Sequence, residues 1–379
     1  MHPGFGFRVV AGTPEGARIG RLQTPHGEVE TPAFMVVGTR GAVKGVSPDL
    51  LEQVGAKILL ANTYHLAVRP GEDSVHALGG LHRFSGWSGP ILTDSGGFQV
   101  LSLADLRSID DEEVRFRSHI DGQELRLTPE RVLDIQARLG TDIAMVLDDC
   151  PPPGVDRAGA RKALERTLKW AERSVRHRES SAVGDSPMAV FGILQGGAFE
   201  DLRQEGAERL RELPFDGYAI GGVSVGESRD VLLQTIPWGA RHLPVDRPRY
   251  LMGVAGFTEF VHAIDNGVDL FDCVLPTRNA RNGYLFRRNA PPVRIKNQRY
   301  RDDDRPIEEG CDCSTCQRYS RGFLRHLRLS REILFMTLAS IHNLRVFYGF
   351  LDDAREAIRN GSWGAFRDRF WSEESPDLP

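Results

Sequence analysis

An α/β fold of the TIM (β/α)8 barrel type is what three observations on this 379-residue sequence predict. Eight short apolar runs recur along the chain, helix-like or loop segments separate them, and polar residues stand where several of the runs end. Continuous apolar runs are strands buried on both faces, the habit of parallel sheets covered by helices.

In order, the runs are FMVVG at 34–38, KILLAN at 57–62, PILTD at 90–94, IAMVLDD at 143–149, AVFGILQ at 189–195, GYAIGG at 217–222, RYLMGV at 249–254 and LFDCVL at 270–275. The gap sequence TPERVLDIQARLG at 128–140 has a capping Thr128, Pro129 at the first helical position and Glu130 next. Val132, Ile135, Gln136 and Leu139 then recur at helical spacing. A doubly wound open sheet has the same alternation of strands and helices. The run ends favour the barrel: Asp94, Asp148, Gln195, Gly222 and Asp272 each lie at or just past the C-terminal end of a strand, the face on which such barrels carry their sites.

Two segments depart from the alternation. EVRFRSHIDGQELRLTP at 113–129 has alternating apolar positions on either side of Asp121-Gly122, which reads as an inserted β-hairpin after the third strand. Residues 296–345, rich in Arg and Cys, read as a small subdomain. The predicted organisation is a barrel region over 1–295, the small subdomain over 296–345, and a closing helix and tail over 346–379, ending in a solvated SEESPDLP.

Composition bounds the function classes. With 40% hydrophobic and 26% charged residues the chain has a globular balance. No apolar run approaches the roughly 20 residues that span a bilayer, and the opening MHPGFGFRVV lacks the order of a signal peptide; a cytoplasmic location is expected. A net charge of -4 argues weakly against nucleic acid, yet residues 278–331 hold 14 Lys and Arg against 6 Asp and Glu.

The metal signal lies in that basic stretch. Cys311-x-Cys313-x2-Cys316 is followed by His342, and three thiolates with one imidazole form a closed structural zinc site, one ion per chain. The alternative is three unbound thiols beside a core histidine. Arg318, Arg321, Arg325 and Arg328 recur every three or four residues, as one basic stripe on a helix. Beside Arg278, Arg281, Arg287, Arg288 and Arg294 the stripe is expected to bind phosphate, although a solvated face would look the same.

The remaining chemistry is at the strand ends. TDSGGFQV at 93–100 sets Asp94 and Ser95 before Gly96 and Gly97, whose bare backbone lets a ligand approach, and then Phe98, on which a flat heterocycle could stack. LQGG at 194–197 and GGVSVGE at 221–227 add the amide of Gln195 and more bare backbone at Gly222, suited to reading a purine edge. Asp272 inside an apolar run is costly to bury without partners or a task, a pair with Arg278 or Arg281 being the structural option. With Asp94 it would make the carboxylate pair of glycosidic-bond chemistry.

Together, TDSGGFQV, FRSHIDG, FGILQGG, FDGYAIGG, FDCVLPTRNARNG, CDCSTCQRYSR and IHNL resemble, in order, motifs of the queuine and archaeosine tRNA-ribosyltransferase family, the tRNA-guanine transglycosylases. The resemblance covers about residues 6–350. It implies a zinc-bearing TIM barrel that exchanges the wobble guanine of a tRNA anticodon through a covalent enzyme-RNA intermediate, a step of queuosine biosynthesis. It further implies Asp272 as nucleophile and Asp94 as proton acceptor and donor. Asp148, Gln195 and Gly222 would bind the base edge, Phe98 its ring, and Cys311, Cys313, Cys316 and His342 the zinc.

RNA contacts are implied at Thr277, Arg278, Asn279, Ala280 and Arg281, and along Gly253, Val254, Ala255, Gly256, Phe257, Thr258 and Glu259. The second segment departs from the family's usual G-V-G-x-P-E-D, losing a glycine and a proline. Cys150 and Val225 resemble the bacterial type, whose incoming base is 7-aminomethyl-7-deazaguanine, and the family implies a homodimer. The rival readings are a small-molecule N-glycosidase on the same barrel and a non-catalytic tRNA-binding subunit.

Overall fold

Eight parallel strands close into a barrel in the computed structural model, which describes residues 4–97, 107–117, 122, 124–288 and 290–371. The strands are β1 (Ala33–Val37), β2 (Leu59–Asn62), β3 (Ile91–Asp94), β4 (Ile143–Met145), β5 (Ala189–Leu194), β6 (Gly217–Ile220), β7 (Arg249–Leu251) and β8 (Leu270–Cys273). They pair in sequence order, and β8 closes on β1 with Leu270 opposite Ala33 and Cys273 opposite Val36. The closed circuit, rather than an open sheet, brings the C-terminal ends of all eight strands to one rim.

Each apolar run forms a strand because it is buried on both sides, and each helix turns outward on local signals. Thr128 caps the helix Pro129–Leu139, its hydroxyl accepting from the Arg131 amide at 3.1 Å, and Gly140 ends it in the left-handed region at φ 72°. Gln136, placed by periodicity on the buried face, is there for a polar reason. Its amide accepts from Thr93 Oγ1 at 2.8 Å and donates to Met145 O at 2.9 Å, tying β3 to β4.

The insertion after β3 is larger than a hairpin. Val114–Arg117 and Glu124–Leu127 pair antiparallel as expected, and Arg107–Ile109 adds a third strand on the other side of Val114–Arg117. The Asp121 of its turn, like Phe98 and the tail 372–379, lies outside the described residues.

A second sheet escaped the sequence reading. Gly6–Gly12, Arg18–Thr24 and Gly27–Thr31 form an antiparallel meander that is fastened beneath the barrel by Arg18. Its guanidinium grips Asp269, just before β8, with contacts of 3.0 and 2.5 Å. His26 and His82 stack at 3.5 Å and both reach the buried Asp142, just before β4. The bottom of the barrel is thereby closed by buried polar contacts, and the open rim is left for a ligand.

After β8 the chain makes the helix Leu275–Asn282, crosses the Cys-rich segment and returns as Ile333–Arg359. This long helix runs unbroken through position 345, so it belongs both to the Cys-rich segment and to the barrel wall. By length and composition it could cross a membrane, but 72% of its most apolar window is buried inside the protein. Phe347 lies against Phe34, Phe257, Phe260 and Phe286 at centroid distances between 5.1 and 5.9 Å, the apolar face being spent on the core.

Candidate active site

The rim encloses a cavity of about 420 Å3 whose lining includes Asp94, Asp148, Gln195, Gly222 and Asp272, the residues named from the strand ends. Asp94 ends β3. Asn62, at the end of β2, donates to it at 2.6 Å and the Gly96 amide at 3.2 Å. Burial pushes the carboxyl up to about 7, against these hydrogen bonds and one from Thr63, and the charge of Asp272 adds to the rise.

Asp272, in β8, accepts from the Tyr250 hydroxyl and the Gly253 amide, both at 2.7 Å. Burial raises its carboxyl too, opposed by those two donors. Neither Arg278 nor Arg281 pairs with it, so the structural option for this carboxylate is not the one adopted. Those two donors oppose the rise that burial imposes on Asp272, and negative charge on Asp272 in turn raises Asp94.

Asp148 forms the opposite wall. Ser95 Oγ donates to it at 3.2 Å and Gln195 Nε2 at 2.7 Å. Burial lifts it to about 6, those two hydrogen bonds restrain it, and Asp149 lifts it further. Its neighbour Asp149 is instead engaged by Arg166 at 2.6 Å, a structural pair. Gly97 is glycine for a steric reason, since a Cβ there would sit 1.9 Å from Asp148 Oδ1. Gly222 is at φ 62°, and a Cβ on it would come within 2.3 Å of Gln195 Oε1. Val225 and Cys150 also line the cavity. The Val225 loop is held by Glu227, whose carboxylate accepts from the amides of Ser224, Val225 and Gly226.

The segments named for RNA contact divide. Arg278 is exposed and borders the cavity, Asn279 and Arg281 are half-buried, and Thr277 and Ala280 face inward. In the loop after β7, Val254, Ala255, Phe257 and Glu259 are buried. Phe257 stacks on Phe350 at 4.5 Å and Glu259 pairs with Arg229 at 2.7 Å, while the Gly253 amide is given to Asp272.

The basic stripe is broken. Ser320 caps a new helix, Arg321–Leu329, so Arg318 ends a separate short one. Arg321 turns inward to Asp303 at 3.1 Å, and Arg325 donates to Asn297 O and Gln298.

The metal signal converges as expected. Cys311, Cys313, Cys316 and His342 are all buried, with the sulfurs 3.8, 3.7 and 3.3 Å from His342 Nδ1. Tetrahedral zinc bonds would hold sulfur and nitrogen ligands about 3.5 Å apart, so the group can hold a metal ion. His342 Nε2 donates to Phe286 O at 2.7 Å, which leaves Nδ1 free of a proton to face the thiols.

Comparison with known proteins agrees with this geometry. Residues 14–376 match the family model described as Queuine tRNA-ribosyltransferase. The chain belongs to that family. Curated relatives named Queuine tRNA-ribosyltransferase include one from Solidesulfovibrio magneticus, 52% identical over 93% of each chain, and one from Syntrophobacter fumaroxidans, 50% identical over 98% of this chain and 99% of the relative. A third, from Thermus thermophilus, is 49% identical over 98% of this chain and 96% of its own length. The protein is therefore an enzyme, a transferase of the tRNA-guanine transglycosylase family, built on a TIM barrel with a Cys3His group near the C-terminus.

Sequence reasoning missed the groups that surround the carboxylates. Asn62 and Tyr250 read as ordinary strand residues, and the pairing of neighbouring strands brings them to Asp94 and Asp272: Asn62 stands opposite Asp94 across β2 and β3, and Tyr250 lies on β7 beside β8.

Proposed function

We propose that this enzyme exchanges the wobble guanine of tRNA for 7-aminomethyl-7-deazaguanine in queuosine biosynthesis. The observation that carries the reading is a pair of carboxyls lining one cavity with different partners, Asp272 held by the Tyr250 hydroxyl and the Gly253 amide and Asp94 raised to about 7. Unequal protonation is what base exchange requires. The Asp272 carboxylate attacks ribose C1′ as the bond to guanine N9 breaks, and Asp94 gives its proton to the departing base. The incoming base then gives its N9 proton to Asp94 and attacks C1′, releasing Asp272.

The base edge has complementary partners. A guanine presents N–H donors at N1 and N2, which suit the Asp148 carboxylate. Its O6 needs a donor, which suits the Gln195 amide and the Gly222 N–H. Phe98 is read as the stacking surface. Cys150 and Val225, both on the cavity wall, support the aminomethyl base as the incoming substrate.

Zinc held by Cys311, Cys313, Cys316 and His342 would brace the segment 296–345, read here as an RNA-contacting part, as a structural ion without an open position. Arg278, Asn279 and Arg281 would meet the tRNA near the exchanged nucleotide, with Thr277 and Ala280 setting their helix against the barrel; from 253–259 only Gly253, Gly256 and Thr258 are turned partly outward. A homodimer is supported by the exposed Phe323, Leu329, Ile333, Leu334 and Met336, clustered on consecutive helices. The substrate tRNA fits a cytoplasmic enzyme.

Mass analysis of tRNA incubated with each candidate base tests the reading, with gain of the aminomethyl base expected and an unchanged tRNA mass refuting it. Asp272→Ala is expected to abolish exchange and the trapped RNA adduct with tRNA affinity retained. Undiminished exchange would remove Asp272 as nucleophile.

A further inference from the structure

Arg203 lies on the helix Glu200–Leu210, the one that follows β5, and it is fully buried. Among the described residues no carboxylate lies within ion-pair distance of it. A buried charge of this kind is costly unless its hydrogen bonds do something for the fold or the site. Its Nε donates to Gly197 O at 2.7 Å, and its Nη2 donates to Gly221 O at 3.0 Å and Gly222 O at 3.3 Å. Those carbonyls belong to the turns after β5 and β6, which carry Gln195 and Gly222.

The bonds have a directional consequence. In a trans peptide the C=O and the N–H point opposite ways. Holding Gly221 O on the side of Arg203 therefore turns the Gly222 N–H the other way, toward the cavity that Gly222 lines together with Cys150. Room for the arginine is made by Gly196, where a Cβ would come within 2.8 Å of Arg203 Cγ. Burial holds the guanidinium down to about 10, which still leaves it charged at neutral pH, with Glu227 favouring the charge from the next loop.

We infer that Arg203 is a positioning residue for base recognition: its fork locks the β5 and β6 turns together so that the Gly222 N–H and the Gln195 amide stay aimed at O6 of the bound base. Arginine suits this task better than lysine because one planar fork can serve two turns, whereas an ammonium is a single point. The inference builds on the base-exchange reading, and direct binding of free base separates the two.

The experiment compares the wild-type holoenzyme with Arg203→Lys and Arg203→Met. It measures kcat, KM for 7-aminomethyl-7-deazaguanine, KM for tRNA, affinity for the free base without tRNA, and Tm. Arg203→Lys is expected to fold, to raise KM for the base and weaken free-base binding about tenfold, and to change KM for tRNA by less than about twofold, because backbone contacts dominate RNA affinity. Arg203→Met is expected to weaken base binding further and lower Tm. If the folded Lys variant keeps wild-type KM and free-base affinity while only kcat or Tm falls, Arg203 is merely structural and the inference is overturned. If the wild type binds the free base but places none in tRNA, the exchange reading fails while the Arg203 comparison still decides the positioning role.

Discussion

Asp94 concentrates the conflict between stability and function. Its carboxyl is raised from an ordinary 3.8 to about 7, so the folded state binds the proton more tightly than the unfolded chain. Stability is therefore lost as pH climbs from about 4 to about 7, by an amount on the order of a few kcal/mol. Asp94→Asn should raise Tm at pH 8 and lose that advantage at pH 4, while eliminating exchange; equal Tm differences at both pH values would contradict the raised carboxyl. On the proposed exchange the same proton also governs rate. Above pH 7 Asp94 loses the proton it would donate, and near pH 6 Asp148 begins to lose its charge, so kcat/KM should peak between these values. A flat pH profile from pH 5 to 9 would remove Asp94 from proton transfer.

Single glycines act at this scale as well. Gly97→Ala would drive a methyl into Asp148 Oδ1 and should raise KM for the base, measured against an unchanged KM for tRNA. Phe257 lies in a segment where the family resemblance implies RNA contact, and its ring is buried against Phe350. The loop sequence alone could not distinguish a ring offered to solvent from one that begins a buried helix.

At the scale of elements, the segment between Tyr284 and the helix Ile333–Arg359 has little regular structure beyond a two-stranded pair and short helices, and its three buried cysteines converge on His342 of that helix, where a metal ion could be held. Removing the metal by chelation, or substituting Cys313→Ser, should disorder this segment before the barrel melts. Hydrogen exchange should report faster amides over 296–332 and little change in β1–β7, with metal analysis returning one zinc per chain for the intact protein. Uniform destabilisation of barrel and segment would argue against a separate metal-braced unit. Beneath the barrel, Asp142 is held below the ordinary carboxylate range despite burial, by hydrogen bonds from His82, His26 and the Ile91 amide. That contribution is present above the unfolded carboxyl's range and disappears as acid protonates Asp142 in the fold, so His82→Ala should move acid unfolding to higher pH.

For the whole molecule, net charge and local charge point in opposite directions, -4 overall against an excess of basic residues over 278–331. tRNA affinity should accordingly fall steeply with salt, and Arg278→Glu, at the exposed cavity edge, should weaken it further. Salt-independent binding would remove the electrostatic account. The exposed apolar helices around Ile333 should hold two copies together, so Ile333→Asp is expected to shift the mass in solution from dimer to monomer.

The sequence by itself determined the eight strands, the carboxylates at their ends and the metal quartet, because each has a local signature: apolar runs, punctuating glycines, and the spacing of thiols. The tertiary structure alone decided which residues surround those carboxylates. Asn62 and Tyr250 meet Asp94 and Asp272 through the register of neighbouring strands, and Arg203 reaches two turns from the helix that follows β5. It also turns Arg321 inward and splits the basic stripe, since Ser320 caps a new helix where the periodicity alone continues one. Local chemistry is written in neighbouring residues, whereas burial, pairing and proton affinity come from atoms far apart in the chain.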